Sequence, residues 1–398
     1  MNPHLPRQIA ATSLHVTQLG MGGASLGDMH AVTPKAQATA AIEAAHTAGI
    51  GYFDTSPWYG NTKSELRLGH VLRTKPRDSF VISTKVGRVH SRPDNPDTYA
   101  HPAWKGGLSF EPRFDYSRDG ILKSYEMSLA RLGLNRVEAL LVHDLDPGHQ
   151  RSEEGVTKAL DTLSGGGYRA LADLKASGEI QAIGAGVNLP GMIPRFLERF
   201  EIDFFLVAMP YTLLDQSGLE ELALCQARGV SVVIGAPYAS GILVTGPQPG
   251  ATYGYRSART DVMDKAARIQ AVCERHSVPL PAAALQFPFG HPSVASIIPG
   301  PLAPEHVGAR ARWRQSTLAP TSRGCSIKYR PRYGWSYGQK AWSERTRHCH
   351  REPTECAVAT KKFLILSSRK AAYRRGCFQI LRQPLRCAWI ASKLLRMR

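Results

Sequence analysis

The chain has 398 residues, of which 43% are hydrophobic, so it is long enough for one large β/α barrel or two ordinary domains and too apolar for a disordered protein. Its net charge of +18 comes from residues 307–398, which hold 22 Lys and Arg against three acidic residues, whereas residues 1–306 hold 28 against 29. Only Cys225 and Cys273 precede the basic segment, and no apolar run suits a signal peptide or a membrane span, so we expect a reduced, cytoplasmic protein.

In chain order, apolar runs predict eight extended segments separated by helices. The strands are predicted at 14–26, 52–55, 80–85, 137–142, 182–187, 204–210, 230–236 and 294–298. The helices are predicted at 33–49, 64–73, 117–132, 156–176, 192–200, 219–228, 261–276 and 281–287, with a long loop over 88–116.

These strands are apolar throughout rather than alternating, which is typical of a parallel sheet covered on both faces. Eight β/α units in about 300 residues favour a closed barrel over an open doubly wound sheet. The first crossover has no G-x-G-x-x-G, so a Rossmann site is not expected. The predicted fold is a (β/α)8 TIM barrel over residues 1–307, in the α/β class.

Three successive predicted strands end in ionisable groups: Asp54, Lys85 and His143. Active sites of such barrels lie at the carboxyl ends of the strands, and neighbouring strands are about 5 Å apart. The three side chains should therefore converge, with Tyr59 reaching over from the turn after Asp54. A Lys beside a phenol lowers the phenol's pKa, an Asp beside the Lys keeps the ammonium charged, and a His can share the substrate oxygen. The pattern predicts proton transfer at a carbonyl or alcohol oxygen while a hydride moves at the adjacent carbon.

Each of these residues also has a structural interpretation. Asp54 could cap its turn and Tyr59 pack against Trp58, and Lys85 could extend to solvent from its strand end. His143 with Asp144 and Asp146 suggests a metal site, but no second His or Cys stands at ligand spacing, so we predict none.

Residues 53–60, 83–87 and 141–144 resemble motifs of the aldo-keto reductases, and the resemblance covers roughly residues 14–307. It implies a TIM barrel that binds a nicotinamide dinucleotide, NAD or NADP, across its top. It also implies roles: Tyr59 as the acid/base, Lys85 and Asp54 as its tuning pair, and His143 as the orienting hydrogen-bond partner.

Within that family, residues 104–108, 114–117 and 143–146 are similar to bacterial aldose 1-dehydrogenases acting on fucose or galactose and to pyridoxal 4-dehydrogenases. Both oxidise a cyclic hemiacetal to a lactone, which needs a base at the reacting hydroxyl. The loop 88–116 would then wall the substrate pocket, with Trp58 and Trp104 offering faces for a sugar or pyridine ring. Packing within the loop is the alternative role for Trp104.

The resemblance implies cofactor contacts at the ends of the later strands. Asn188 would bind the carboxamide, Tyr211 would lie near the nicotinamide, Pro237, Ser240 and Gly241 would lie beside the pyrophosphate, and Pro299 and Gly300 would lie at the adenosine end. Ala208 stands where the family often has Gln, and Pro301-Leu302 where many members carry a basic residue for a 2′-phosphate. This departure favours NAD over NADP.

Residues 308–398 show no sustained periodicity, and we interpret them as an out-of-frame translation. The alternatives are a basic nucleic-acid-binding extension and, for the whole chain, a non-catalytic nucleotide- or nucleic-acid-binding protein. Five cysteines in this tail lack the paired C-x-x-C of a zinc module. If the helical pattern ends after Val307, the eighth helix is missing, and the barrel should be less stable and more prone to aggregate.

Overall fold

An eight-stranded parallel sheet forms the centre of the computed structural model, which describes residues 4–29, 31–300 and 303–312. The strands follow in chain order: β1 Met21–Gly22, β2 Tyr52–Asp54, β3 Val81–Val86, β4 Ala139–His143, β5 Ala182–Val187, β6 Phe204–Ala208, β7 Ser231–Gly235 and β8 Val294–Ile298. The two ends of the sheet meet, because Gly20 N donates to Ile297 O at 2.8 Å and Ile297 N donates to Gln18 O at 2.9 Å. The predicted (β/α)8 barrel is confirmed.

Helices cover the outside of this sheet. They are α1 Lys35–Thr47, α2 Lys63–Leu72, α3 Arg118–Leu132, α4 Pro147–Gln150, α5 Glu153–Thr162, α6 Tyr168–Ala176, α7 Met192–Leu197, α8 Leu219–Ala227, α9 Ile242–Thr245, α10 Thr260–Arg275, α11 Leu280–Gln286 and α12 Pro304–Arg312. The predicted helix 156–176 is two helices, α5 and α6, joined by a π-helical turn at Leu163–Gly167. A side chain at Gly167 would collide with the carbonyl oxygen of Tyr116, so this glycine lets the turn approach the preceding loop.

The apolar strands are buried on both faces. On β4, Ala139 and Leu141 point into the barrel, while Leu140 and Val142 pack against the helices. An antiparallel hairpin, Pro6–Gln8 with His15–Thr17, lies beside β8, and apolar residues from it join the interior cluster. Each fully buried aliphatic side chain contributes about 1.5–3 kcal/mol of transfer free energy, which is why the strands carry no polar alternation.

The predicted loop 88–116 contains regular structure. Arg88–Ser91 pairs antiparallel with Glu111–Phe114, and the connection between them folds back over α2. The buried carboxylate of Asp28 fixes that connection: Lys63 Nζ donates to Asp28 at 2.7 Å and to the carbonyl oxygen of Gly106 at 2.6 Å. The pairing joins residues 20 to 26 positions apart, so local sequence patterns do not indicate it.

The last described helix crosses the predicted boundary at residue 307. The prediction that the helical pattern ends after Val307 is wrong, because α12 continues to Arg312. Alternating Ala and Arg residues at 309–312 have high helix propensity, which accounts for the extension. Val307 is buried and α12 packs against α1, so this part of the barrel's outer layer is present.

The remainder of the predicted tail, residues 313–398, lies outside the described residues, and so do the out-of-frame and nucleic-acid-binding hypotheses that concern it. Across the described part of the chain, every helix is too short or too polar to cross a lipid bilayer.

Candidate active site

A buried ion pair joins the ends of β2 and β3. Lys85 Nζ lies 2.6 and 2.7 Å from the two carboxylate oxygens of Asp54 and 2.9 Å from the carbonyl oxygen of Thr55. Ser83 Oγ donates to Asp54 at 2.6 Å. Both charged side chains are about 1% exposed. Burial raises the pKa of Asp54, and the Lys85 ammonium and the Ser83 hydroxyl oppose that rise. The pair is therefore satisfied by hydrogen bonds rather than extended into solvent.

A strained turn presents Tyr59 above this pair. Gly60, Asn61 and Thr62 all have left-handed backbone conformations, with φ of 67°, 48° and 81°. Such a conformation costs a non-glycine residue about 1–2 kcal/mol. A side chain at Gly60 would lie 2.5 Å from Gly27 O, so the turn packs backbone against backbone. This packing holds the turn that carries Tyr59.

Tyr59 lies among the predicted site residues. Lys85 Nζ is 5.5 Å from the centre of its ring, and the rings of His143 and Trp104 are centred 5.8 and 6.0 Å away. The predicted lowering of its pKa is wrong for this arrangement. Burial, followed by the negative charge of Asp54, raises the pKa of Tyr59 well above its usual value. The donors of Lys85 point at Asp54 and Thr55, and among the described residues no hydrogen bond joins Lys85 to the Tyr59 hydroxyl.

His143, at the end of β4, is buried and neutral. Burial lowers its pKa to about 3, even though Asp144 opposes the shift. Ser56 Oγ lies 3.0 Å from His143 Nδ1 and also accepts the backbone N–H of Trp58 at 3.0 Å. In the tautomer in which the Ser56 hydroxyl donates to Nδ1, the ring proton is on Nε2. In that tautomer His143 can donate a hydrogen bond from Nε2.

Two further residues of the site, Arg88 and Asp144, were not predicted as site residues. Arg88 Nη2 donates to Asp144 Oδ2 at 2.6 Å, and both side chains are buried. The guanidinium carbon lies over two aromatic rings, 4.1 Å from the centre of Trp58 and 4.3 Å from that of Phe114. Burial opposes ionisation of Asp144, but His143 and Arg88 hold its pKa at about 2. In the sequence, Arg88 comes shortly after the predicted strand 80–85. Its partners become apparent only in the hairpin of the folded chain.

The predicted substrate residues form an aromatic wall. Trp58 contacts Trp104 edge-on at 5.4 Å between ring centres, and it contacts His101 in the same way at 4.7 Å. Trp104 is 3% exposed, and its indole nitrogen has no hydrogen-bond partner among the described residues. The structure thus brings Trp104 to Tyr59 and buries it, which supports the alternative role in packing.

Tyr255 is a second residue that the sequence did not indicate. It occupies the tip of a hairpin, Thr252–Tyr253 with Arg256–Ser257, in a left-handed conformation. It lies close enough to Tyr59 that ionisation of Tyr255 would raise the pKa of Tyr59 further. Its side chain remains 45% exposed, so the hairpin tip borders the site rather than filling it.

On the cofactor side, Asn188 follows β5 and donates from Nδ2 to Asp144 Oδ1 at 3.0 Å. Its carbonyl oxygen has no partner among the described residues, so the amide retains an acceptor and a donor, which complement a second carboxamide. Tyr211 is nearly buried and packs against Phe287 and His291. The chemistry of Asn188 fits a nicotinamide carboxamide.

The loop after β7 has an unusual backbone. Ala236, Ala239 and Ser240 are non-glycine residues with positive φ, and Gly241 has φ of 121°. Strain of this kind concentrates at ligand-binding loops. Pro237 is buried within the loop, and Ser240 Oγ is already used because it accepts the backbone N–H of Tyr255 at 3.0 Å. The fit to a pyrophosphate therefore depends on the backbone of this loop rather than on the Ser240 hydroxyl.

Pro299 and Gly300 follow β8, where Pro299 O accepts the backbone N–H of Gly22 at 3.1 Å. Pro299 is buried and Gly300 is exposed, with Ser25 directly beside it. Pro301 and Leu302, on which the expected NAD preference rests, lie outside the described residues.

Asp144, Asp146 and His149 form a group whose ligand atoms are close enough to hold a metal ion, within the part of the chain that the structure describes. Their atoms have other partners: Arg88 binds Asp144, and Asp146 accepts the backbone and ring N–H groups of His149 at 3.0 Å. These contacts account for the buried carboxylates without an ion.

This strand-end arrangement agrees with the comparison to known families. A model of the Aldo/keto reductase family matches residues 18–320. The chain belongs to the aldo/keto reductase family. It is an NAD(P)-dependent oxidoreductase, and the family resemblance in the sequence motifs is confirmed.

Two relatives are more than a third identical to this aldo-keto reductase over the residues that match. The pyridoxal 4-dehydrogenase of Microbacterium luteolum is 38% identical over 322 residues, covering 78% of this chain and 93% of that protein. The D-threo-aldose 1-dehydrogenase of a Pseudomonas species is 35% identical over 311 residues, covering 76% and 91%. Among solved structures, the holo form of aldo-keto reductase AKR11C1 from Bacillus halodurans is similar with a TM-score of 0.63 at 25% identity, covering 79% of this chain and 92% of that one.

Proposed function

We propose that this aldo-keto reductase oxidises a cyclic hemiacetal to a lactone, with an aldose of the L-fucose or D-galactose type as substrate and the anomeric carbon as the reacting atom. The observation that supports this most strongly is the position of Tyr59 between the Asp54–Lys85 pair and a neutral His143. A bound oxidised nicotinamide supplies the hydride acceptor. The C–H bond at the reacting carbon breaks, the C=O bond forms, and the hydroxyl proton leaves to a base.

Tyr59 is the proposed base. It must lose its proton before it can accept one, and burial opposes that loss. The positive charge that favours the phenolate is the Arg88 guanidinium, while the Lys85 ammonium, held by Asp54, lies 5.5 Å from the centre of the phenol ring. His143, protonated on Nε2, donates to the reacting oxygen and orients it toward Tyr59. Because the pKa of Tyr59 is raised, the rate of oxidation should increase with pH.

The aromatic wall supports a flat ring as substrate. Trp58 and Trp104 lie beside Tyr59, where Trp58 is half-buried and Trp104 is buried, and indole faces stack on sugars and on pyridines alike. Pyridoxal, which forms an internal hemiacetal, is therefore the second candidate, and the 38% identity to a pyridoxal 4-dehydrogenase favours it. For the cofactor, we propose that Asn188 binds the carboxamide, that Tyr211 lies near the nicotinamide, and that residues 237–241 and 299–300 bind the pyrophosphate and adenosine parts. We propose NAD rather than NADP.

The test is the absorbance of reduced nicotinamide with NAD or NADP and, separately, L-fucose, D-galactose and pyridoxal. We expect turnover with at least one of the three substrates and a higher kcat/KM with NAD. No reduction with any of them would contradict the proposed reaction. Turnover unaffected by Tyr59→Phe would contradict the proposed base.

A further inference from the structure

Arg88 is buried with most of its hydrogen-bonding capacity unused. It is 6% exposed, and its one side-chain hydrogen bond among the described residues is the one from Nη2 to Asp144. Nε is completely buried and has no partner there. A guanidinium has five N–H donors, and buried donors are almost always paired in folded proteins. Donors left over in a pocket indicate an acceptor that arrives with a ligand.

Packing gives this guanidinium a defined orientation. Its Cζ lies 4.1 Å from the centre of the Trp58 ring and 4.3 Å from that of Phe114, and Phe114 is paired with Arg88 across the hairpin. The N–H donors of a guanidinium lie in its plane and act along its edges. Trp58 also belongs to the aromatic wall beside Tyr59, and the charge of Arg88 acts on the pKa of both Tyr59 and His143, so the guanidinium lies beside the site.

Asp144 links Arg88 to the proposed reacting oxygen. Its Oδ2 lies 2.6 Å from Arg88 Nη2, and its Oδ1 lies 3.6 Å from His143 Nε2. A single carboxylate therefore separates the guanidinium from the group that we propose binds the reacting oxygen.

We propose that Arg88 is a substrate-binding residue that donates to an oxygen substituent close to the reacting carbon of the hemiacetal. The ligand chemistry is a hydroxyl or phenolate oxygen: the 2-hydroxyl of an aldose or the 3-oxygen of pyridoxal. This inference rests on the proposed function, and it makes the neighbouring oxygen, rather than the ring alone, the feature that the enzyme recognises.

The experiment compares substrates that differ only in that oxygen. D-galactose is paired with 2-deoxy-D-galactose, and pyridoxal with its 3-deoxy analogue, in kcat/KM measurements. With the unaltered protein, loss of the oxygen should lower kcat/KM by about 10- to 100-fold, the range for a hydrogen bond to a charged group. The pair that shows the effect identifies which of the two substrates is the source of the oxygen.

The variant is Arg88→Met combined with Asp144→Asn, which removes both charges together and keeps an acceptor for Asn188. We expect both members of a pair to react at nearly the same rate with this variant. Arg113→Met is the matched control, because Arg113 lies on the same hairpin with its side chain 60% exposed, and it should keep the full discrimination. Discrimination that persists in a folded double variant would overturn the proposal.

Binding separates this inference from the proposed function. Titration of tryptophan fluorescence, to which Trp58 contributes, reports ligand binding without turnover. If the parent compounds bind but are not oxidised, the proposed reaction is wrong, and weaker binding of the deoxy analogues would still support Arg88. Equal binding of parent and deoxy forms, or no binding of either, would overturn the role of Arg88.

Discussion

The two proposed halves of the site, one for proton transfer and one for the cofactor, differ in which atoms of the chain form them. At the ends of β2, β3 and β4 the chemistry lies in side chains: Asp54, Lys85 and His143 are buried, and each has a specific hydrogen-bond partner. In the loop after β7 the distinctive feature is the backbone, with positive φ at Ser240 and Gly241. Proton transfer needs particular functional groups, whereas holding a phosphate needs N–H groups in a particular conformation. The groups for proton transfer can be predicted from residue identity, whereas the backbone conformation of a phosphate-binding loop mostly cannot.

The largest expected effect is at the side-chain half. Tyr59→Phe removes the proposed base and keeps the ring, so kcat should fall by about 100- to 10,000-fold. Reduction of NAD with the best substrate measures it. Tyr168→Phe is the control, because that hydroxyl binds Glu201 O on the outer surface and should leave kcat unchanged. Equal rates for the two variants would mean that the side-chain cluster does not carry the chemistry.

The second prediction concerns the ion pair below Tyr59. Lys85→Met leaves Asp54 buried without its partner and should lower the free energy of unfolding by about 3–5 kcal/mol. Asp54→Asn combined with Lys85→Met removes both charges and should recover most of that stability without recovering turnover. Urea denaturation and kcat measure the two effects. A double variant that is active would show that the pair serves stability alone.

In the loop after β7, a substitution that disturbs the backbone conformation should matter more than one that changes a functional group. Gly241→Ala places a side chain at φ of 121° and should lower the free energy of unfolding by about 1–3 kcal/mol and weaken NAD binding. Gly165→Ala is the matched control, since the added methyl group would meet no atom within 4 Å and φ there is not positive. If Gly241→Ala binds NAD normally, the loop conformation does not serve the cofactor.

The smallest effect is a dependence of stability on pH. Burial lowers the pKa of His143 and of His90 to about 3 in the folded chain, against an ordinary value of about 6.5. Between these values the unfolded chain binds more protons, so stability is lost as the pH falls from about 6.5 toward 3. Each histidine contributes up to about 1.4 kcal/mol per pH unit. His90→Leu should reduce the slope of unfolding free energy against pH between 4 and 6, and an unchanged slope would contradict the assignment.

The strands and the strand-end groups were accessible from the sequence because they depend on local patterns. Continuous apolar runs predicted β5 and β8 to the residue, and the ionisable residues at the ends of β2, β3 and β4 indicated a site. The extension of α12 past Val307 was missed because interpretation of the basic composition outweighed the helix propensity of Ala and Arg.

Contacts between distant segments of the barrel could not be predicted from the sequence in this way. The hairpin that joins residues 88–91 to 111–114 places Phe114 on Arg88, and the turn after β4 places Asp144 between Arg88 and Asn188. The pKa of Tyr59 was predicted wrongly, because burial and the negative charge of Asp54 both raise it, whereas a Lys at the end of the neighbouring strand suggested the opposite.

The sequence by itself determined the barrel, the family and the set of ionisable groups at the carboxyl ends of the strands, because periodicity and short motifs are properties of neighbouring residues. The tertiary structure alone decided which partner each of those groups has. Lys85 pairs with Asp54 rather than with Tyr59, and Arg88 packs against two aromatic rings while its buried Nε has no partner among the described residues. Those outcomes depend on distances between segments far apart in the chain, and burial then sets the charge of each group.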